Sequence, residues 1–222
     1  MAALIARARR TLRYRGWRRS LRILGRWLLH PSRQAFDLEY GVATGGAPPA
    51  PGERRGPRGV AHGPVDPTTF AEIFRHIEVD RFPFTFVDFG CGLGRALMLA
   101  SEYPFQRIVG VEYDRELYRQ ALANLARFRS PRQRCTQIQV EWGDATELPL
   151  PTGPSVFYLN EPFYATGMRR TAARIRASLT THPRPAYVVY LGDWFCGVWE
   201  AAGDFEVIAV RGDDHLYRWR GW

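Results

Sequence analysis

Residues 86–95 read FVDFGCGLGR, a short apolar run closed by three glycines that alternate with other residues. Phe84, Phe86 and Val87 make the run, Asp88 ends it, and Gly90, Gly92 and Gly94 follow. A helix-forming stretch, residues 96–102, comes immediately after. Strand, tight glycine turn and helix is the layout in which backbone presses closely against a ligand. Glycine tolerates positive φ and carries no Cβ to block the approach. The start of the helix adds unpaired N–H groups.

The acid in this run narrows the ligand. A dinucleotide site spaces its glycines G-x-G-x-x-G and turns a helix N-terminus toward a pyrophosphate. Here the spacing is G-x-G-x-G, and Asp88 stands two residues before the first glycine. A carboxylate there repels a pyrophosphate and suits a cation. S-adenosylmethionine carries an ammonium and a sulfonium, so it fits this chemistry better than NAD. Two further acids follow the same logic. Residues 107–111 (RIVGV) read as a second buried strand, and Glu112 lies 24 positions beyond Asp88. That is close to the spacing at which an acid meets ribose hydroxyls in a mononucleotide-binding βαβ unit. A third strand, residues 136–141 (TQIQVE), runs into Trp142, Gly143 and Asp144, and Asp144 is placed to accept from an adenine amino group. Acids at the carboxyl ends of successive strands lie where open α/β sheets bind ligands. Each also suits a plainer role, capping the next helix or turn.

With these residues the chain resembles a bacterial-type class I S-adenosylmethionine-dependent methyltransferase over about residues 67–222. The resemblance implies that the glycine loop (Asp88, Gly90, Cys91, Gly92, Gly94) holds the methionine part, Glu112 the ribose and Asp144 the adenine. It also draws attention to residues 155–159 (SVFYL), an apolar strand that leads into Asn160, Glu161, Pro162 and Phe163. Many amino-group methyltransferases of this superfamily have Asn/Asp-Pro-Pro-Tyr/Phe here, holding the target N–H groups and packing a ring on the acceptor. This chain has Glu161 in place of the first proline. A carboxylate there can orient an amine or take its proton. Asn160, Glu161 and Phe163 are therefore the catalytic candidates. The alternative is a turn between strand and helix with Phe163 in the core.

The remaining pattern sets the fold class. Helical signals at residues 114–128, 166–179 and 194–201 alternate with strands at 187–191, 205–210 and 215–219. The expectation is an α/β, Rossmann-like, mostly parallel seven-stranded sheet with helices on both faces and a C-terminal antiparallel hairpin. Asp66 and Pro67 read as the N-cap and first position of another helix, with Phe70, Ile73, Phe74 and Ile77 on its apolar face. Three scattered cysteines and five histidines show neither disulfide nor metal-ligand spacing, so no metal is expected and a reducing, cytoplasmic setting fits.

Charge is concentrated at one end. All 31 basic residues are arginine, and ten of them fall in residues 1–36, which contain no acid. Since the whole chain is +9, residues 37–222 carry a net −1. Tyr14, Trp17, Leu21, Leu24 and Leu28 fall on one helical face, so residues 1–35 read as a basic amphipathic arm. Such an arm docks on the domain, serves as a transit peptide, or contacts an anionic membrane surface or nucleic acid. The last option leaves open a non-catalytic binding protein anchored by the arm. No apolar run approaches the ~20 residues of a membrane span. Residues 36–66 form a third region. Its second half, residues 45–66, is half glycine and proline and reads as a loop. Its first half holds Tyr40 and Thr44, offered as cofactor contacts from a lid or, equally, as parts of a docking turn.

Overall fold

The computed structural model describes residues 32–45 and 63–222. The basic arm, apart from its last positions, and residues 46–62 of the glycine- and proline-rich stretch lie outside the described residues. Seven strands form one sheet: β1 (Thr85–Phe89), β2 (Arg107–Glu112), β3 (Ile138–Trp142), β4 (Ser155–Asn160), β5 (Ala186–Leu191), β6 (Phe205–Arg211) and β7 (Asp214–Trp219). Their order across the sheet is β3-β2-β1-β4-β5-β7-β6. β1 to β5 are parallel, and β7 is antiparallel to both β5 and β6. This is the expected seven-stranded, mostly parallel sheet with its closing hairpin.

Central strands read as unbroken apolar runs because helices cover both faces. β5 (AYVVYL) is buried along its whole length and β4 (SVFYLN) at every residue but Asn160. At the sheet edges, β3 and β6 each bury one residue fully. Alternate side chains pass to opposite faces. On one face Phe86, Ile108, Val156, Val189 and Leu216 pack under α1 (Ser32–Tyr40), α2 (Pro67–Phe74), α3 (Arg95–Ala100) and α4 (Arg115–Arg127). On the other, Val87, Phe157, Val188 and Tyr217 meet α5 (Ala165–Thr181) and α6 (Cys196–Glu200) through Met168, Ala172, Ile175, Leu179 and Trp199. Asp66 caps α2 as its sequence predicts, accepting from the N–H groups of Thr68 and Thr69. The helix is shorter than the apolar pattern suggests. It stops at Phe74, and i→i+3 turns then carry the buried Ile77 and Val79 to the sheet.

Residues 36–45 are docked rather than loose. Arg95, the first residue of α3, is only 1% exposed. Its guanidinium donates to Asp37 Oδ1 (3.0 Å), Thr44 Oγ1 (2.6 Å) and the Val65 carbonyl (3.4 Å), and lies 5.1 Å from the centre of the Phe36 ring. Asn124 on α4 completes the clasp by donating to the carbonyls of Ala43 and Leu93, both at 3.1 Å, and accepting from Ala43 N at 2.9 Å. A buried cation whose partners are removed, or a buried partner set whose cation is removed, is strongly destabilising. Arg95→Ala should therefore cost ~3 kcal/mol in urea denaturation and expose residues 36–45 to limited proteolysis. Unchanged stability and protection would show that the clasp is ornamental.

Candidate functional site

β1 has β2 on one side and β4 on the other, so the chain reverses its direction of travel across the sheet at β1. In open α/β sheets such a switch point leaves a crevice at the carboxyl ends of the strands. The glycine loop sits there. Gly90 N and Cys91 N both donate to the Val111 carbonyl, at 2.9 and 3.0 Å, which folds the loop back over the end of β2. Gly90, Gly92 and Gly94 have φ of 83°, 56° and 86°, a region side chains rarely enter. Gly110 on β2 makes the fold-back possible: a Cβ there would fall 2.9 Å from Cys91 Cβ and 2.7 Å from Leu97 Cδ1.

Glu112 pins the arrangement. Its Oε2 accepts from Gly92 N and its Oε1 from Asp114 N, each at 2.8 Å. Burial raises its pKa, against the lowering effect of the Asp114 and Gly92 N–H groups. Each carboxylate oxygen has a second lone pair, so the anchor can still accept from a ligand hydroxyl. Asp88 is 2% exposed, and its Oδ1 has no hydrogen-bond partner among the described residues. Burial first, and the nearby Glu112 charge second, push its carboxyl well above the usual carboxylate range. At the end of β3, Asp144 Oδ1 accepts from Thr146 N (3.0 Å) and Thr146 Oγ1 (2.8 Å), capping a single 3-10 turn.

The end of β4 forms the opposite wall. Asn160 Nδ2 donates to the Gly63 carbonyl at 2.8 Å. Glu161 has φ 45°, the one non-glycine residue with positive φ among those described. Its side chain lies on Gly192 after β5, where a Cβ would come within 2.5 Å of Glu161 Cγ. Pro162 touches the glycine loop, 3.1 Å from where a Gly90 Cβ would stand. Phe163 turns away into the core, 7% exposed, packed against Gly167 in the first turn of α5. Tyr164 and Trp194 remain exposed beyond the ends of β4 and β5. No group of three or more metal-ligating side chains occurs among the described residues.

No protein-family model and no curated protein matches the chain. Solved structures do match. A human methyltransferase 10 domain-containing protein superposes with a TM-score of 0.53 at 12% identity, covering 86% of this chain and 95% of that one. Escherichia coli yhhF, assigned as a methyltransferase, gives 0.52 at 17% identity over 82% and 92% of the two chains. A Listeria monocytogenes protein assigned as an N6-adenine-specific DNA methylase gives 0.51 at 15% identity over 72% of this chain and 52% of that one. The fold is that of the class I methyltransferases.

The methyltransferase fold brings Asp88, the three loop glycines, Glu112, Asn160 and Glu161 to one crevice, with Asp144 at its β3 end. Four other candidates go elsewhere. Cys91 points inward onto Gly110 and is 5% exposed, so the loop uses it as packing. Phe163 is a core residue, because the strand-to-helix turn at Pro162 directs its ring under α5. The Tyr40 hydroxyl donates to Glu102 (3.4 Å) and accepts from Arg132, beyond the C-terminus of α3 and so at the far edge of the sheet. Thr44 is fully buried in the Arg95 clasp, bonded to Asp37 and Arg95 behind the loop. Sequence reasoning missed Gly110, Asn124 and Arg95. Two had signals: a glycine inside a strand marks close backbone approach, and Asn124 falls on the buried side of an amphipathic helix.

A linkage test follows from the raised Asp88 carboxyl. The folded state holds this proton more tightly than the unfolded chain, whose value is ~4. Its contribution to stability is fully present below ~4 and is lost as pH rises through the raised value. Urea midpoints measured across this range should fall with pH in the wild type relative to Asp88→Asn. Parallel pH profiles would mean that Asp88 is not held protonated.

Proposed function

We propose that the chain binds S-adenosylmethionine along the carboxyl ends of β1, β2 and β3 and transfers its methyl group to an acceptor nitrogen at residues 160–164. The observation that carries this reading is Asp88, a buried acid with an unpartnered oxygen at the mouth of a rigid glycine loop. Buried carboxylates are normally satisfied, and a cationic ligand is what this one lacks. The cofactor supplies a methyl group on a sulfonium, open to displacement by an aligned lone pair. Glu112 accepts from the ribose hydroxyls with its remaining lone pairs, and Asp144 accepts from the adenine amino group. The exposed Tyr113 and Trp142 rings flank that end, Trp142 being fixed by a 3.0 Å bond to the Tyr113 carbonyl and by Arg115 over its face.

Asn160 and Glu161 prepare the acceptor. The Asn160 Nδ2 is spent on Gly63, which directs its Oδ1 toward an acceptor N–H. Glu161 orients the same amine and takes the proton that leaves as the new N–C bond forms. Methyl transfer needs chiefly alignment, which a wall held by Pro162 against Gly90 supplies. The adenine nitrogen named for the Listeria protein supports a nitrogen acceptor here. The aromatic contact to the acceptor passes from Phe163 to Tyr164, the exposed ring beside it.

Calorimetric titration tests the cofactor. The wild type should bind S-adenosylmethionine and S-adenosylhomocysteine, but not NAD, and Asp88→Ala or Glu112→Ala should each weaken binding about tenfold or more. Full affinity in both variants, or no binding by the wild type, would sink the reading. Glu161→Gln should bind cofactor normally while slowing transfer of labelled methyl about 100-fold to any acceptor found.

A further inference from the structure

Away from the glycine loop, a thiol and an imidazole stand in contact with no part in the chemistry above. Cys196 opens α6 and His215 lies near the start of β7. The Cys196 Sγ is 3.3 Å from His215 Nδ1 and 3.6 Å from Nε2. The imidazole is held in place from its own strand. Its ring stacks on that of Tyr217, with centroids 5.9 Å apart and planes within 8°, and the Tyr217 hydroxyl donates to Glu200 Oε1 at 3.1 Å. A nucleophile, a base in contact with it and a group that orients the base is the arrangement that activates a weak nucleophile.

Access separates this thiol from the other two. Cys91 and Cys135 are buried, whereas Cys196 is partly exposed. On the sheet His215 stands between Tyr190 and Val210, and Val210, on the edge strand β6, is 56% exposed. The pair is therefore reached from the β6 edge. Burial pushes the Cys196 thiol up, the Tyr217 hydroxyl opposes this, and Glu200 and Asp213 add to it. At neutral pH the sulfur keeps its proton, so it reacts as the imidazole removes that proton. We propose that Cys196 and His215 form a nucleophilic thiol site, separate from the cofactor crevice, that takes small cationic disulfides. Cys196 attacks one sulfur of the disulfide while His215 takes the thiol proton. The S–S bond breaks, a mixed disulfide forms on Cys196, and the other half leaves as a thiolate that collects the proton. Cys196 is oxidised and the leaving half reduced, so no further reagent enters. A disulfide suits the site because charge develops on sulfur and not on a carbonyl oxygen that would need its own donors. Glu200 and Asp213, the charged groups that act on the thiol, select an ammonium-bearing partner over a carboxylate-bearing one.

The test exposes the native full chain to three disulfides of similar size: cystamine (cationic), hydroxyethyl disulfide (neutral) and dithiodipropionate (anionic). Each rate is divided by that of a neutral free cysteine derivative, and adducts are located by mass spectrometry. A single adduct, on Cys196, should form, and cystamine should lead dithiodipropionate about tenfold or more. His215→Asn should slow the reaction about tenfold or more while Cys91 and Cys135 stay unmodified, a sign that the variant is folded. Adducts formed only after denaturation would overturn the proposal, as would a rate indifferent to the charge of the disulfide. So would an equal rate in folded His215→Asn, which removes the imidazole from the chemistry. If that variant exposes Cys91 and Cys135, the wild-type charge series decides alone.

Discussion

One carboxylate, Glu112, accepts from the backbone N–H groups of Gly92 and Asp114, and the shape of the crevice depends on it. These bonds tie the loop after β1 to the turn after β2, two segments twenty residues apart in sequence. A loop of alternating glycines is expensive to order, because glycine surrenders more backbone freedom than any other residue. Charge-assisted hydrogen bonds to a buried acceptor are among the few local interactions strong enough to offset that. Glu112 itself is desolvated by burial, which is why its proton affinity rises even as three backbone N–H groups, of Asp114, Gly92 and Tyr113, oppose the rise. Asp88 is the counterpart: the same burial without the compensating donors. The pair leaves one acid satisfied by backbone and its neighbour with an unpartnered oxygen, which the proposed function gives to a cation.

The loop is also supported from behind. Asn124 bonds to Leu93 within the loop and to Ala43 in the docked segment, so α4, the loop and residues 41–45 are tied together through one side chain. Arg95 does the same for α1 and the start of α3. Rigid placement from these sides suits the proposed methyl displacement, in which alignment of donor and acceptor would supply much of the rate. It also explains why so many polar side chains are buried near an otherwise apolar face. They are spent on fixing irregular backbone that no helix or strand ladder could satisfy.

Much of this was legible in the sequence, and the failures share one cause. Strands β1, β2, β4 and β5 are continuous apolar runs, and the glycine spacing and the acids behind it are local in sequence, so fold and crevice could both be read directly. What could not be read is which way a side chain turns once a distant element packs on it. Phe163 lies in the right string, yet Gly167 on the following helix opens a space that draws its ring into the core. Tyr40 lies in a segment that does dock on the domain, but Arg132 and Glu102 hold its hydroxyl at the wrong end of the sheet. Asp144 shows the intermediate case: it caps a turn, as acids commonly do, at the very place where a ligand contact is also expected.

Glu161 carries a backbone cost in the turn after β4 that stability alone does not explain. A non-glycine residue at φ 45° costs of order 1 kcal/mol or more, and glycine would relieve that cost. The protein instead places the glycine across the way, at Gly192, whose missing Cβ makes room for the Glu161 side chain. A strained glutamate with a dedicated hollow beside it is the reverse of what stability alone would select. The Glu161 side chain lies against Gly192, between Asn160 and the Pro162 that touches the glycine loop. A proline at this position, as in the pattern the chain resembles, would fix φ near −65° and could not adopt the left-handed turn. The departure from that pattern is therefore conformational as well as chemical: Glu161 puts a left-handed turn and a carboxylate where a proline would fix φ, and the proposed function uses that carboxylate as its proton acceptor.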